Sequence, residues 1–184
     1  MAKKKQSQQM LSPIEFLKKK IRLVPLYKCY KTVDMDKCGE GNVVVVRRHL
    51  NNKYSFGVYL VDKFCCGVKD SFYKLHTTEA DLELVLSRLE FTEIDYVEAH
   101  NLIYGAIEWA EEAGISPDSS FNLSKYILEE DTDDIPVMDI EFGHKGKYLL
   151  FCTNQSDFRK YSAILTRNGI DFEHVYPIDP NEDL

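Results

Sequence analysis

Apolar and polar positions alternate along the first half of the chain with the period-2 spacing of half-buried strands. Leu26-Tyr-Lys-Cys-Tyr-Lys31 alternates, and Tyr54-Ser-Phe-Gly-Val-Tyr-Leu-Val61 reads the same way. Between them Val43-Val-Val-Val46 is an unbroken β-branched run, which predicts a central strand covered on both faces. Asp34–Gly41 reads as a loop. Asn51-Asn52 is suited to a two-residue hairpin turn because Asn tolerates positive φ. These runs predict an antiparallel meander, with Phe72-Tyr-Lys-Leu75 as a further short edge strand.

Helical spacing appears on either side of this β region. Ser12-Pro13-Ile14-Glu15 is a capping box with Pro at the first helical position, and it predicts a helix to about Leu23, ended by Pro25. Its apolar face is Ile14, Leu17 and Ile21, while Lys18, Lys19 and Arg22 lie around the other side. Thr78 caps a second helix over 79–89. Asp95-Tyr-Val-Glu98 opens the longest one, with a seam of Ala99, Leu102, Ile103, Ala106, Ala110 and Ala113 and a stop at Gly114. A shorter helix is expected over 121–128. Val137–Phe142 and Lys147–Cys152 predict a hairpin about Gly143-His-Lys-Gly146, followed by a helix over 156–168 and a strand over 170–176. The order predicts an α+β fold: an antiparallel meander with helices packed on it, plus a C-terminal hairpin, helix and strand. Its expected limits are a disordered basic arm over 1–11, one domain over 12–176 and an acidic tail over 177–184.

With 184 residues, 44% of them hydrophobic, the chain can bury a core. No apolar run approaches the ~20 residues that span a bilayer, and the basic N-terminus is not followed by a signal-like stretch, so a cytoplasmic setting is expected. Five cysteines without regular spacing form no disulfide framework and fit that setting. The net charge of −7 hides an asymmetry, since residues 1–28 hold eight Lys or Arg and one Glu. Residues 129–141 hold seven acids and no base.

The candidate chemistry centres on residues 62–70. Cys65 or Cys66 could serve as a nucleophile with His49 or His100 as base and Lys69 lowering the thiol pKa, and Asp62 and Asp70 could form an acid/base pair. The opposing structural reading has a cysteine facing the core, Gly67 permitting a turn and Asp70 bonding backbone amides. The five histidines form no HExxH or HxxxH arrangement, phosphate-cradling loops are absent, and no cofactor or metal is expected. A basic surface could use Lys3, Lys4, Lys5, Lys18, Lys19, Lys20, Arg22, Arg47 and Arg48, with Tyr27 and Tyr54 for stacking.

Gly57-Val-Tyr-Leu-Val-Asp62 with Cys65-Cys66-Gly-Val-Lys-Asp70, Ala99 with Ile103-Tyr-Gly-Ala-Ile107, and Phe142-Gly-His-Lys-Gly-Lys147 resemble the motifs of a family of small uncharacterised bacterial proteins from Bacteroides-like organisms. The likeness covers about residues 12–152. Cys66 stands where that family has Leu, and Gly114-Ile-Ser-Pro-Asp-Ser-Ser-Phe121 lacks the His and Asp of the family's G-F-x-P-H-x-D-F. The resemblance implies a cytosolic α+β protein and no particular reaction.

These features predict a non-catalytic binding or accessory protein whose basic arm and first helix contact an anionic partner, RNA or a ribosome-like surface, or an acidic protein surface. The alternatives are an enzyme with its site at 62–70 and a protein–protein module using the acidic 129–141 segment.

Overall fold

The computed structural model describes residues 11–175. Lys3, Lys4 and Lys5 of the expected arm, and the expected tail, lie outside the described residues. Strands β1 (Leu26–Thr32), β2 (Glu40–Arg48), β3 (Tyr54–Asp62), β4 (Gly67–Thr77) and β5 (Phe91–Ile94) form an antiparallel sheet in the order β4-β3-β2-β1-β5. The meander is as predicted, but the β2–β3 turn is longer than the two residues expected: the His49 amide donates to the Lys53 carbonyl at 2.8 Å, and Asn52 within it takes φ 56°. The expected edge strand at 72–75 is the middle of the longer β4. A single helical turn, α2 (Met35–Cys38), occupies the expected loop.

The valine run is buried on both faces because each face meets a different helix layer. Val43 and Val45 pack with Leu17 of α1 (Pro13–Lys20) and with Ala99, Leu102, Ile103 and Ala106 of α4 (Tyr96–Glu112). Val44 and Val46 meet Phe56, Val58 and Leu82 of α3 (Glu79–Leu86). Four fully buried Val side chains at about 1.5–3 kcal/mol each make β2 the spine of the fold. The capping boxes form at Ser12/Glu15 and Thr78/Asp81, and Asp95 accepts from the Glu98 amide. Helix α1 stops at Lys20 and continues as a 3₁₀ turn over Ile21–Leu23. Similarly, α5 (Phe121–Ser124) passes into a 3₁₀ turn over Lys125–Ile127, and the buried Tyr59 hydroxyl donates to the Ser124 carbonyl at 2.8 Å.

The C-terminal part departs from expectation. Strand β6 (Tyr148–Phe151) pairs in parallel with β7 (Phe172–Val175) across α6 (Gln155–Arg167), and no hairpin strand precedes it. The turn about Gly143–Gly146 is present, closed by a bridge between His144 and Lys147. Residues 137–142 instead run over α4. Asn101 donates to the Pro136 carbonyl at 2.9 Å and accepts from the Met138 amide at 2.9 Å, while Ile140 and Phe142 pack against the core. Their alternation serves a helix surface rather than a sheet.

Candidate functional site

Three groups of polar side chains carry the chemistry singled out by the sequence. At the β3–β4 hairpin, Asp62 Oδ1 accepts from the Phe64 and Cys65 amides at 2.9 and 3.0 Å, which folds the chain into a tight corner. Gly67 closes it at φ 67°, and a Cβ there would stand 2.9 Å from Ala110 Cβ. The corner is therefore pressed onto α4. Cys65 and Cys66 are 0% and 1% exposed, wedged among Ala110, Ala113, Leu150, Cys152, Tyr161 and Leu165. The neighbouring Cys65 thiol and burial hold Cys66 far above the ordinary thiol range, and burial pushes Cys152 up to about 11. Neither is poised to ionise.

Asp62 is itself 3% exposed, and its Oδ2 has no hydrogen-bond partner. Burial pushes its carboxyl up to about 6, against the pull of Lys69. Lys69 pairs with Glu40; desolvation draws its ammonium down, and the acidic neighbours more than reverse this. Asp62, Cys65 and Lys69 thus share one covered corner, but two expected members do not join them. Asp70 is exposed and accepts from the Ser71 amide at 2.8 Å. His100 sits among Tyr96, Tyr104 and the 129–131 segment. The five candidates do not converge. The corner's carbonyls show its role: Lys63 accepts from the Gly143 amide at 2.9 Å, and Phe64 accepts from the Leu149 amide and the Trp109 indole, both at 3.3 Å. It staples the C-terminal unit to the sheet.

The basic residues separate into inward and outward sets. Arg47, expected on a partner surface, is 0% exposed: it donates to the Ile127 and Val24 carbonyls at 2.7 Å each and to Glu129 at 2.6 Å. Arg22 donates to the Leu128 carbonyl at 2.8 Å and pairs with Glu130. Both arginines therefore fix the two 3₁₀ turns to each other, and both engage acids of the 129–141 run. Arg48, next to Arg47 in β2, points to the opposite sheet face, over the rings of Tyr27 and Tyr54 at 5.2 and 5.9 Å. Lys18, Lys19 and Lys20 are exposed on α1. Lys18, Arg22 and Lys125 surround the Tyr126 ring at 5.9, 5.8 and 6.0 Å.

A third group was not legible in the sequence. His49 Nε2 lies 2.8 Å from Ser55 Oγ, which also accepts from the His76 amide at 3.1 Å, and the two imidazole rings are 4.3 Å apart. His76 takes φ 53° where the β3–β4 register shifts, so a strained bulge brings the rings together. They line a cleft of about 490 Å³ with Leu23, Val24, Pro25, Leu50 and Asn51. The hairpin turn at 51–52 was the available clue, because its register sets 49 opposite 53 and so on the same face as 55, one pleat away.

Among the described residues no three His, Cys, Asp or Glu side chains are disposed to hold a metal ion, and no helix is long and apolar enough to cross a membrane. Comparison of the chain with protein-family models, with curated proteins and with solved structures finds no match.

Proposed function

We propose that this protein is a non-catalytic binding protein that takes an anionic partner, single-stranded RNA, on the surface formed by α1 and the Lys125–Tyr126 turn. The observation that carries this reading is the sorting of its cations. The arginines nearest this surface, Arg22 and Arg47, are tied to carbonyls and acids of the protein itself. Lys18, Lys20 and Lys125 make no ion pair among the described residues, and Lys19 has only its exposed i,i+4 partner Glu15 at 3.5 Å. Lysines are compact point charges suited to phosphates without base selectivity, and the half-buried Tyr126 ring between them offers a stacking face. The capping box and the fully buried Leu17 hold the helix rigidly beneath them. Arg48 belongs to a separate patch on the other sheet face. Five unbridged cysteines support a cytoplasmic setting.

An enzyme site at 62–70 is not favoured, because its thiols and Asp62 are covered. The test is fluorescence anisotropy of a labelled oligouridylate with the full chain across a salt series. The Lys18→Ala/Lys20→Ala/Lys125→Ala variant should bind at least tenfold more weakly. Its log–log salt slope should be shallower by about 2, at ~0.7 per lost phosphate contact. Deleting residues 1–11 tests the arm separately. No binding by the intact chain, or binding unaffected by both changes, overturns the reading.

A further inference from the structure

The β2–β3 hairpin and the 3₁₀ turn after α1 carry apolar side chains that the core does not use. Leu50 is 103% exposed and Leu23 74% exposed, and both line the cleft of about 490 Å³ beside the two histidines. Val24 and Pro25 continue that wall, its polar members are His49, Asn51 and His76, and no Lys, Arg, Asp or Glu lines it. The two rings are held from behind. His49 Nε2 meets Ser55 Oγ at 2.8 Å, and the Phe16 ring of α1 packs 4.7 Å from His76 and 6.1 Å from His49. His76 is exposed, and among the described residues only its backbone amide is hydrogen-bonded, to Ser55 Oγ. Whichever tautomer it takes, its ring therefore has an N–H to give. Asn51 spends its Oδ1 on the Lys53 amide at 3.3 Å, which leaves its side-chain NH₂ as a second donor at the same cleft. The left-handed backbone of His76, φ 53°, sits where the strand pairing slips and keeps this ring beside His49.

We propose that this cleft binds an unbranched alkyl carboxylate of the fatty-acid class. The carboxylate accepts from the His76 ring and the Asn51 amide, and the chain lies along Leu23, Pro25 and Leu50. Other ligand classes leave part of the wall unanswered. A cation meets no carboxylate there, and a phosphate dianion meets no lysine or arginine. An uncharged hydrocarbon displaces water from both donors and gives them no acceptor. A carboxylate supplies that acceptor, and its alkyl chain covers leucines that otherwise stand in water. The volume lies in the ordinary range for small-molecule sites, and an apolar wall with a few polar groups converging on it is their usual composition. The inference does not rest on the RNA-binding reading, because Lys18, Lys20 and Lys125 do not line this cleft.

Isothermal titration of the full chain with octanoate, 1-octanol and octylamine tests it. Octanoate should bind saturably and one-to-one, at least tenfold more tightly than octylamine. His76→Gly, a residue that accepts the same backbone angle, should weaken octanoate at least fivefold and leave 1-octanol unchanged. Leu50→Ser should weaken both, whereas Leu84→Ser, an exposed leucine of α3 outside the cleft, should weaken neither. Absence of saturable octanoate binding, equal affinity for octylamine, or equal loss with Leu84→Ser overturns the proposal. Should His76→Gly fail to fold, Asn51→Ala and the octylamine comparison decide the headgroup, and Leu50→Ser decides the chain.

Discussion

Asp62→Asn should gain stability relative to the wild type as pH rises toward neutrality, by an amount set by the raised carboxyl pKa. The carboxyl is 3% exposed, its Oδ1 holds two amides, and its Oδ2 has no partner. Its pKa is raised from 3.8 to about 6. Below pH 4 both the folded and unfolded chains carry the proton, and burial exacts no ionic penalty. Between pH 4 and 6 the unfolded chain releases the proton first, so stability falls as pH rises. Above that the penalty is constant, about 3 kcal/mol at ~1.4 kcal/mol per pH unit. Asn keeps the oxygen that accepts from Phe64 and Cys65 and cannot ionise. The unmet donors of its amide add a cost that is the same at every pH, so the slope of the difference isolates the carboxyl. Urea denaturation of both proteins at pH 4, 5, 6 and 7.5 measures it. The variant should gain on the wild type by about 2.5 kcal/mol over that range, because at pH 4 the unfolded carboxyl is already partly ionised. A flat difference, or a variant that loses on the wild type as pH rises, as replacing an acid stabilised by Lys69 would, refutes a carboxyl dominated by desolvation.

Other consequences follow from the same burial and bonding. A thiol reagent should modify one cysteine in the native protein, the exposed Cys38, and all five after denaturation; rapid native labelling of Cys65 or Cys66 would reopen the corner as a reactive site. Arg47→Met should cost about 3–5 kcal/mol in denaturant unfolding, because it strands Glu129 and the Val24 and Ile127 carbonyls. A loss under 1 kcal/mol would mean water satisfies those groups.

The sheet was readable because its information is local. The valine quartet, the Asn-Asn turn and the capping boxes each fix their own conformation whatever surrounds them. What was missed depends on partners distant in sequence. Phe91-Thr-Glu-Ile94 is too short to signal a strand, and it forms one because the β1 edge is open to pair Cys29 with Ile94. Residues 137–142 alternate like a strand, but the clamp at Asn101 and the Phe142 ring on Gly105, where a Cβ would fall 2.4 Å from the ring, lay them on α4. Together with Gly67 against Ala110, that contact gives these two glycines a packing role rather than a chemical one. Arg47 reads as a surface charge in sequence; only the convergence of the two 3₁₀ turns on it shows otherwise.

On the proposed function, the outward lysines of α1 and the Tyr126 turn form the RNA-binding surface. A ¹⁵N–¹H NMR titration of the full chain with oligouridylate addresses it residue by residue. Shift changes should gather on Lys18, Lys20, Lys125 and Tyr126 and leave Arg48 and the Asp62–Lys69 corner unmoved. Perturbations centred on that corner, or none at saturating RNA, would contradict it.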